Sequence, residues 1–219
     1  MLSIIVLLMC ATVIIDFTEG GRNWQNWLHW LVFLSVAIGL FTSLFGIEGS
    51  WVCFVFSIVS YAIYIYFCII TNYYGELIVS FLVIGANIVT LVKWKRNTTN
   101  GVVKINKISL RELLICAAIF IIFTIALGFI LKLINTEYPF LNSICVTSMA
   151  IALYFSFRIS RNEFLLNIIG NSAYLTLWIF AAIRSDFSFI LFSIGGVIEI
   201  GYAIYGYFHW GKIHQKQNT

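Results

Sequence analysis

Two asparagines, Asn167 and Asn171, stand four residues apart in an apolar stretch, and Tyr174 and Trp178 continue the same stripe. At helical spacing all four fall on one face. A side-chain amide carries donors and an acceptor together, which suits ribose hydroxyls or a carboxamide. The same amides also serve as hydrogen-bonded glue between helices in lipid, so grip and glue both stand as readings. Glu199 is the one acidic residue deep inside an apolar run. An acid at mid-membrane costs about 2.5–3.5 kcal/mol even on the lower scales, which makes it a functional hypothesis by default. It would act as counter-ion to a cationic solute, as a protonated or tyrosine-bonded structural group, or as a proton carrier with no His or Arg relay beside it. Phe54, Ser57, Tyr61 and Tyr64 recur at helical spacing as a second stripe. Its rings either pack or stack a flat solute and draw a cation to the ring face. Asn87 poses the same choice between ligand contact and helix glue.

Catalytic and metal-binding material is sparse. His29, His209 and His214 are not accompanied by an acid–His pair, so no metal set forms. The five cysteines are scattered through apolar stretches without a C-x-x-C pair and read as small hydrophobes. Neither a cofactor nor a metal is expected.

These residues sit in elements that composition dictates. The chain is 61% hydrophobic and only 10% charged, with aromatic residues at 17%. A soluble domain carries about 25% charged residues, so no water-facing surface is available here. A helix needs about 20 apolar residues to cross the hydrocarbon core. Seven runs meet that, at 28–47, 51–70, 75–94, 113–134, 139–157, 164–183 and 187–208. The alternation of a barrel strand is missing, and in lipid only helices then satisfy their own backbone. The opening run, Met1–Ile15, reads as an extra N-terminal helix, spanning or interfacial; with no charge in Met1–Ser3 it lacks the basic start of a signal peptide.

Charge sets the orientation. With the connector after the third run placed in the cytoplasm, that side holds Lys93, Lys95, Arg96, Lys104, Lys107, Arg111, Arg158, Arg161, Lys212 and Lys216. The other side holds Arg22, Lys132 and Arg184. Ten against three obeys the positive-inside rule and puts the C-terminus in the cytoplasm. By this topology the three histidines are split between the two sides. The formal net charge of +4 is thus distributed over connectors and not along one face, which speaks against a nucleic-acid partner. Trp24, Trp27, Trp30, Trp94 and Trp210 read as interface anchors. Glu76 stands where it would cap a helix N-terminus or attract a solute.

The third and seventh runs both close on a tryptophan, Trp94 and Trp210, and Phe54-x-x-Ser57-x-x-x-Tyr61 faces Phe164-x-x-Asn167-x-x-x-Asn171. The offsets, 116 and 110 residues, suggest two triple-helix units around one odd helix. The expected segments are 1–27 (N-terminal helix and connector), 28–96 (first unit), 97–138 (linker and central helix), 139–210 (second unit) and 211–219 (cytoplasmic tail). Parallel repeats of this kind hold their solute near midplane where the repeats meet.

The chain resembles the PnuC-type vitamin transporters, best known for nicotinamide riboside, over roughly residues 28–210. The resemblance is carried by Tyr64-x-Tyr66, Tyr74-Gly75-Glu76, Asn87 and Trp94, then by Asn142-Ser143, Phe164-x-x-Asn167-x-x-x-Asn171 and Gly206-Tyr207-x-x-Trp210. It implies an all-α integral membrane protein, a seven-helix 3+1+3 SWEET-like carrier in the bacterial inner membrane, forming homotrimers. Such a carrier facilitates diffusion of a vitamin or nucleoside-like solute, which a separate kinase traps by phosphorylation. The chain departs from the family's pattern at Ser80 (often Gln), at Thr90 and its apolar neighbours, at Phe164 and Asn167 (Trp in the family) and at Glu199. Those departures leave thiamine, riboflavin and deoxynucleosides open beside nicotinamide riboside.

Rival classes fare worse. A membrane enzyme needs clustered His, Asp or Glu, and none is present. A retinal receptor needs a lysine in its last helix, and none occurs between Lys132 and Lys212. A scaffold or non-transporting sensor stays open and is separated by vesicle uptake. The topology is tested by single cysteines at Thr98 and Gln215: an impermeant thiol reagent should reach both from the same side, and labelling from opposite sides would refute the two-unit layout.

Overall fold

The structure, a computed structural model, describes residues 27–71, 74–99, 101–184 and 190–217. The N-terminal helix expected over Met1–Ile15, with Arg22 and Trp24, lies outside the described residues. Seven helices are present among them: α1 (Trp27–Ile47), α2 (Val52–Thr71), α3 (Tyr74–Arg96), α4 (Leu110–Leu133), α5 (Pro139–Phe157), α6 (Asn162–Arg184) and α7 (Ile190–Gln217). Two short strands, β1 (Thr98–Thr99) and β2 (Val102–Val103), pair around Gly101, whose φ of 82° suits a tight turn. Each expected apolar run is helical over its described residues, apart from single residues at the ends. The last one continues well past the apolar run, so most of the segment expected as a tail is helical. Hydropathy marks where lipid ends, and a helix stops only where its backbone bonds do.

Contacts divide the chain into two units, Met1–Val102 and Val103–Thr219. In the first, α2 packs on α1 and α3; in the second, α4, α5, α6 and α7 pack in succession. The helix expected as a separate linker, α4, thus rests on α5 and belongs to the second unit.

Helix starts follow local chemistry. Ser109 caps α4, its hydroxyl accepting from the Glu112 N–H at 3.2 Å. Pro139 opens α5, where a missing N–H costs nothing. The starts of α2 and α6 are built alike, 110 residues apart. Gly49 and Ile159 both turn the chain with positive φ, 69° and 56°. Ser50 N–H donates to the Phe45 carbonyl and Ser160 N–H to the Phe155 carbonyl, each at 3.0 Å. Ser50 and Ser160 then accept from the N–H two residues on, at 3.4 and 3.3 Å.

Equivalent positions also meet across helices within each unit, 110 residues apart except for the closing tryptophans, which are 116 apart. Ser60 Oγ donates to the Ser35 carbonyl at 2.8 Å between α1 and α2; Cys145 Sγ donates to the Gly170 carbonyl at 3.7 Å between α5 and α6. Phe54 meets Trp94 edge-on at 4.8 Å, and Phe164 meets Trp210 edge-on at 5.2 Å. Small residues line these contacts, as helix association in lipid requires. The buried side of α5 includes Ser143, Thr147, Ser148, Ala152 and Ser156.

The outward face of α4 is apolar and open. Of its residues only Gly128 is buried, under the ring of Phe140. Ser143 Oγ donates to the Thr124 carbonyl at 2.5 Å, and Arg158 and Tyr154 both hold Glu112. Isoleucines and phenylalanines such as Ile121, Ile122 and Phe123 are exposed, a surface that water alone would not favour. At the end where Arg158 meets Glu112, residues 103–106 form a strap. Gln217 accepts from the Ile105 N–H and donates to the Val103 carbonyl, both at 3.0 Å, while the Asn106 N–H donates to the Ile159 carbonyl at 2.8 Å.

A glycine on α7 sets how near α6 comes. A Cβ at Gly206 would lie 2.5 Å from the Phe164 ring, whereas one at Gly195 would meet nothing within 4 Å. Gly206→Ala should lower the detergent-solubilised thermal midpoint by an amount matching about 1–3 kcal/mol of overpacking. Gly195→Ala should leave it unchanged or raise it; equal effects would refute the close approach.

Candidate functional site

In the first unit the polar candidates find one another. Asn87, on α3, donates through Nδ2 to Ser57 Oγ on α2 at 2.7 Å, and both side chains are buried. The bond ties two helices where no water competes, which is the glue use of a membrane asparagine. Thr90, one turn further on, donates to the Ala86 carbonyl at 2.8 Å, so its hydroxyl is satisfied within its own helix. Ser80 is buried, and Phe54 is buried against Trp94. Tyr61 and Tyr64 are half-buried on α2, each with an interaction partner. Unit one therefore brings Ser57 and Asn87 into direct contact, with Phe54 packed on the closing tryptophan.

The second unit treats its amides differently. Asn167 and Asn171 are half-buried on α6, and neither side chain hydrogen-bonds to any described residue. Phe164, three residues before Asn167, is buried against Trp210. Tyr174 and Trp178 continue the stripe as an edge-on pair with centroids 5.7 Å apart. Gly196 of α7 lies against this stretch, since a Cβ there would be 3.3 Å from Leu175 and 3.6 Å from Tyr174. The stripe thus presents two accessible amides followed by two rings, fixed by a close helix contact.

Glu199, on α7, is half-buried and lies within electrostatic reach of Tyr202, one turn along the same face. The Tyr202 hydroxyl is buried and has no hydrogen-bond partner among the described residues; the same holds for Ser193 Oγ. Buried hydroxyls normally find a partner, so these two are candidate contacts that sequence reading passed over. A signal was present for Tyr202, which follows Glu199 at i+3. Ser193 offered none, because serines in apolar helices mostly bond their own backbone. The side chains of Tyr74 and Glu76 lie outside the described residues, so the capping expected of Glu76 does too.

No lysine or arginine interrupts α6 between Arg161 and Arg184, or α7 between Arg184 and Lys212. The arrangement in the second unit can therefore offer amide hydrogen bonds, ring faces, hydroxyls and one carboxylate, but no fixed cation. Its chemistry suits a flat, hydroxylated, neutral or cationic solute.

Ser57→Ala would strand the buried Asn87 amide. It should destabilise the protein by about 1–3 kcal/mol, the usual cost of an unsatisfied buried donor. A denaturation double-mutant cycle with Asn87→Leu should then show a strong coupling between the two sites; additive effects would deny the bond.

A family model described as nicotinamide mononucleotide transporter matches residues 29–212. Among solved structures the chain is similar to one titled the crystal structure of the vitamin B3 transporter PnuC. The identity is 19%, over 96% of this chain and 90% of that one, with a TM-score of 0.76. At that identity the likeness speaks for the fold. No curated protein matches the sequence.

Proposed function

This chain belongs to the nicotinamide mononucleotide transporter family and is a multi-pass membrane transporter, and from that premise we propose that it facilitates uptake of a vitamin or nucleoside-like solute, with nicotinamide riboside leading. The observation that carries the substrate class is the pair of Asn167 and Asn171 amides, accessible and unbonded among the described residues, in line with the Tyr174–Trp178 rings. Helix glue would have used those amides as Asn87 is used. A ligand grip leaves them open.

The nucleoside is favoured over the mononucleotide on charge. A phosphate seeks Arg or Lys, and the stretches of α6 and α7 that carry the candidate residues contain neither. Glu199 would repel a phosphate and balance the pyridinium of nicotinamide riboside or the thiazolium of thiamine. Thiamine is therefore the alternative solute. Riboflavin and deoxynucleosides, which lack a fixed cation, would use the amides and rings alone. Phe54, Ser57, Tyr61, Tyr64, Ser80, Asn87 and Phe164 support the site in this reading, Ser57 and Asn87 as the tie that positions the first aromatic stripe.

The layout proposed is the SWEET-like 3+1+3 carrier, supported by the register kept between α1–α3 and α5–α7. Rocking of such repeats around a fixed site gives alternating access. Bacterial inner-membrane location, a cytoplasmic C-terminus and trimer formation belong to the same proposal.

Binding to purified protein should be screened with nicotinamide riboside, thiamine, riboflavin and deoxynucleosides. Asn171→Leu should abolish binding of the preferred solute while the protein stays folded; unchanged affinity removes Asn171 from the site. Glu199→Gln should weaken the two cations selectively, and an equal loss for a neutral solute refutes the counter-ion role.

A further inference from the structure

The start of α2 is an internal control for the start of α6. Both turns use a residue of positive φ, a serine cap and the same backbone bonds, down to the 3.2 Å contacts Cys53 N–H to Ser50 carbonyl and Glu163 N–H to Ser160 carbonyl. Three residues after each cap the side chain points into the unit. In the first unit it is Cys53, buried against Gly46. In the second, 110 residues on at both positions, it is Glu163 facing the Ser156 hydroxyl. A sulfhydryl and a bare glycine build the same turn, so the turn does not call for a carboxyl.

Two ordinary structural uses of Glu163 fail. An acid three residues after the cap can close a capping box by accepting the N–H of the cap residue. Here the Ser160 N–H already donates to the Phe155 carbonyl at 3.0 Å. Nor does Glu163 make an ion pair among the described residues. Arg158, on the turn, is held by Glu112 at 3.2 Å, and Arg161 lies over the Tyr207 ring at 4.9 Å. On α7, His209 stacks on Tyr205, His214 Nδ1 lies 3.1 Å from the Ile105 carbonyl of the strap, and Lys212 and Lys216 are exposed; Lys104 and Lys107, on and beside the strap, are exposed as well. None of these charges acts on the carboxyl, whose setting consists of burial and the Ser156 hydroxyl. Glu163 is only 8% exposed, and its Oε2 has no hydrogen-bond partner among the described residues.

We propose that Glu163 and Ser156 form a proton-binding site that the second turn has and the first lacks, its occupancy linked to whether that end of the second unit is packed or open to water. The residue precedes the apolar run 164–183, at the membrane boundary, where water can reach an opened turn. Burial pushes the carboxyl up to about 8 from its ordinary 4.5, with the serine hydroxyl pulling the other way. The packed turn thus holds a proton that the opened turn releases. Between those two values the packed form binds more protons, so acid favours it and it loses stability as pH rises from about 4.5 through about 8.

Thermal unfolding of the full-length protein, followed across that interval, tests the site without any solute. Two variants serve: Glu163→Gln, and the pair Ser156→Gly with Glu163→Cys, which writes the first turn's residues into the second. The wild-type midpoint should fall relative to both variants as pH rises, the gap opening between the two values above; parallel profiles overturn the proton site. Nicotinamide riboside uptake into proteoliposomes tests the link to the working cycle. Wild-type rates should change with pH, approaching about tenfold per unit in the one-proton limit, and the variant rates should not. Coincident uptake profiles overturn the linkage. Absence of uptake by every protein refutes the solute assignment instead, and the unfolding series still decides the proton site.

Discussion

A hydrogen-bonding side chain in hydrocarbon has no water to turn to, so it must find a protein partner, a solute or a proton. That constraint organises the molecule. Ser35 with Ser60 and Ser57 with Asn87 hold the first three helices to one another. Ser143 reaches a backbone carbonyl of α4, and Ser148 bonds its own helix. Groups without a hydrogen-bond partner among the described residues include, in the second unit, Thr124 Oγ1, Asn167, Asn171, Ser193, Tyr202 and one oxygen of Glu163. Two units that share a register of packing and turns thus differ in what they do with polarity. Among the described residues, the first unit ties Ser35 to Ser60 and Ser57 to Asn87, and the second leaves several polar groups available.

How much of this could be read beforehand depended on the range of the interaction involved. The seven helices were legible because lipid exposure imposes a uniform apolar length on each. The repeat of Phe54 with Phe164 and of the closing Trp94 with Trp210 was legible because aromatic side chains stand out against aliphatic runs, but those two tryptophans, expected as interface anchors, are buried against Phe54 and Phe164 instead. The bond between Asn87 and Ser57 was not, since it joins residues thirty positions apart and the glue and grip readings demand the same residue types. Glu163 was passed over for a related reason. It stands just before an apolar run, where an acid is ordinarily solvated at a helix start. It is nonetheless buried and faces the Ser156 hydroxyl, a tertiary contact that hydropathy does not report. The strap of residues 103–106 and the extension of α7 to Gln217 were invisible together, because each supplies the other's hydrogen bonds.

The open helix α4 has a consequence for the membrane in which the protein sits. Its uncharged stretch runs from Leu113 to Leu131, about 29 Å at 1.5 Å per residue, close to the thickness of an average hydrocarbon core. Lys132 can stretch toward the headgroups, but Glu112 is clamped by Arg158 and Tyr154 and cannot slide. A thicker bilayer would draw that clamp toward the acyl chains, and a thinner one would bare leucine and isoleucine to water, each at a fraction of a kcal/mol per ångström. The length between the two charges thus matches a hydrocarbon core of ordinary thickness, and departures from that thickness would be felt first at the clamped Glu112 end.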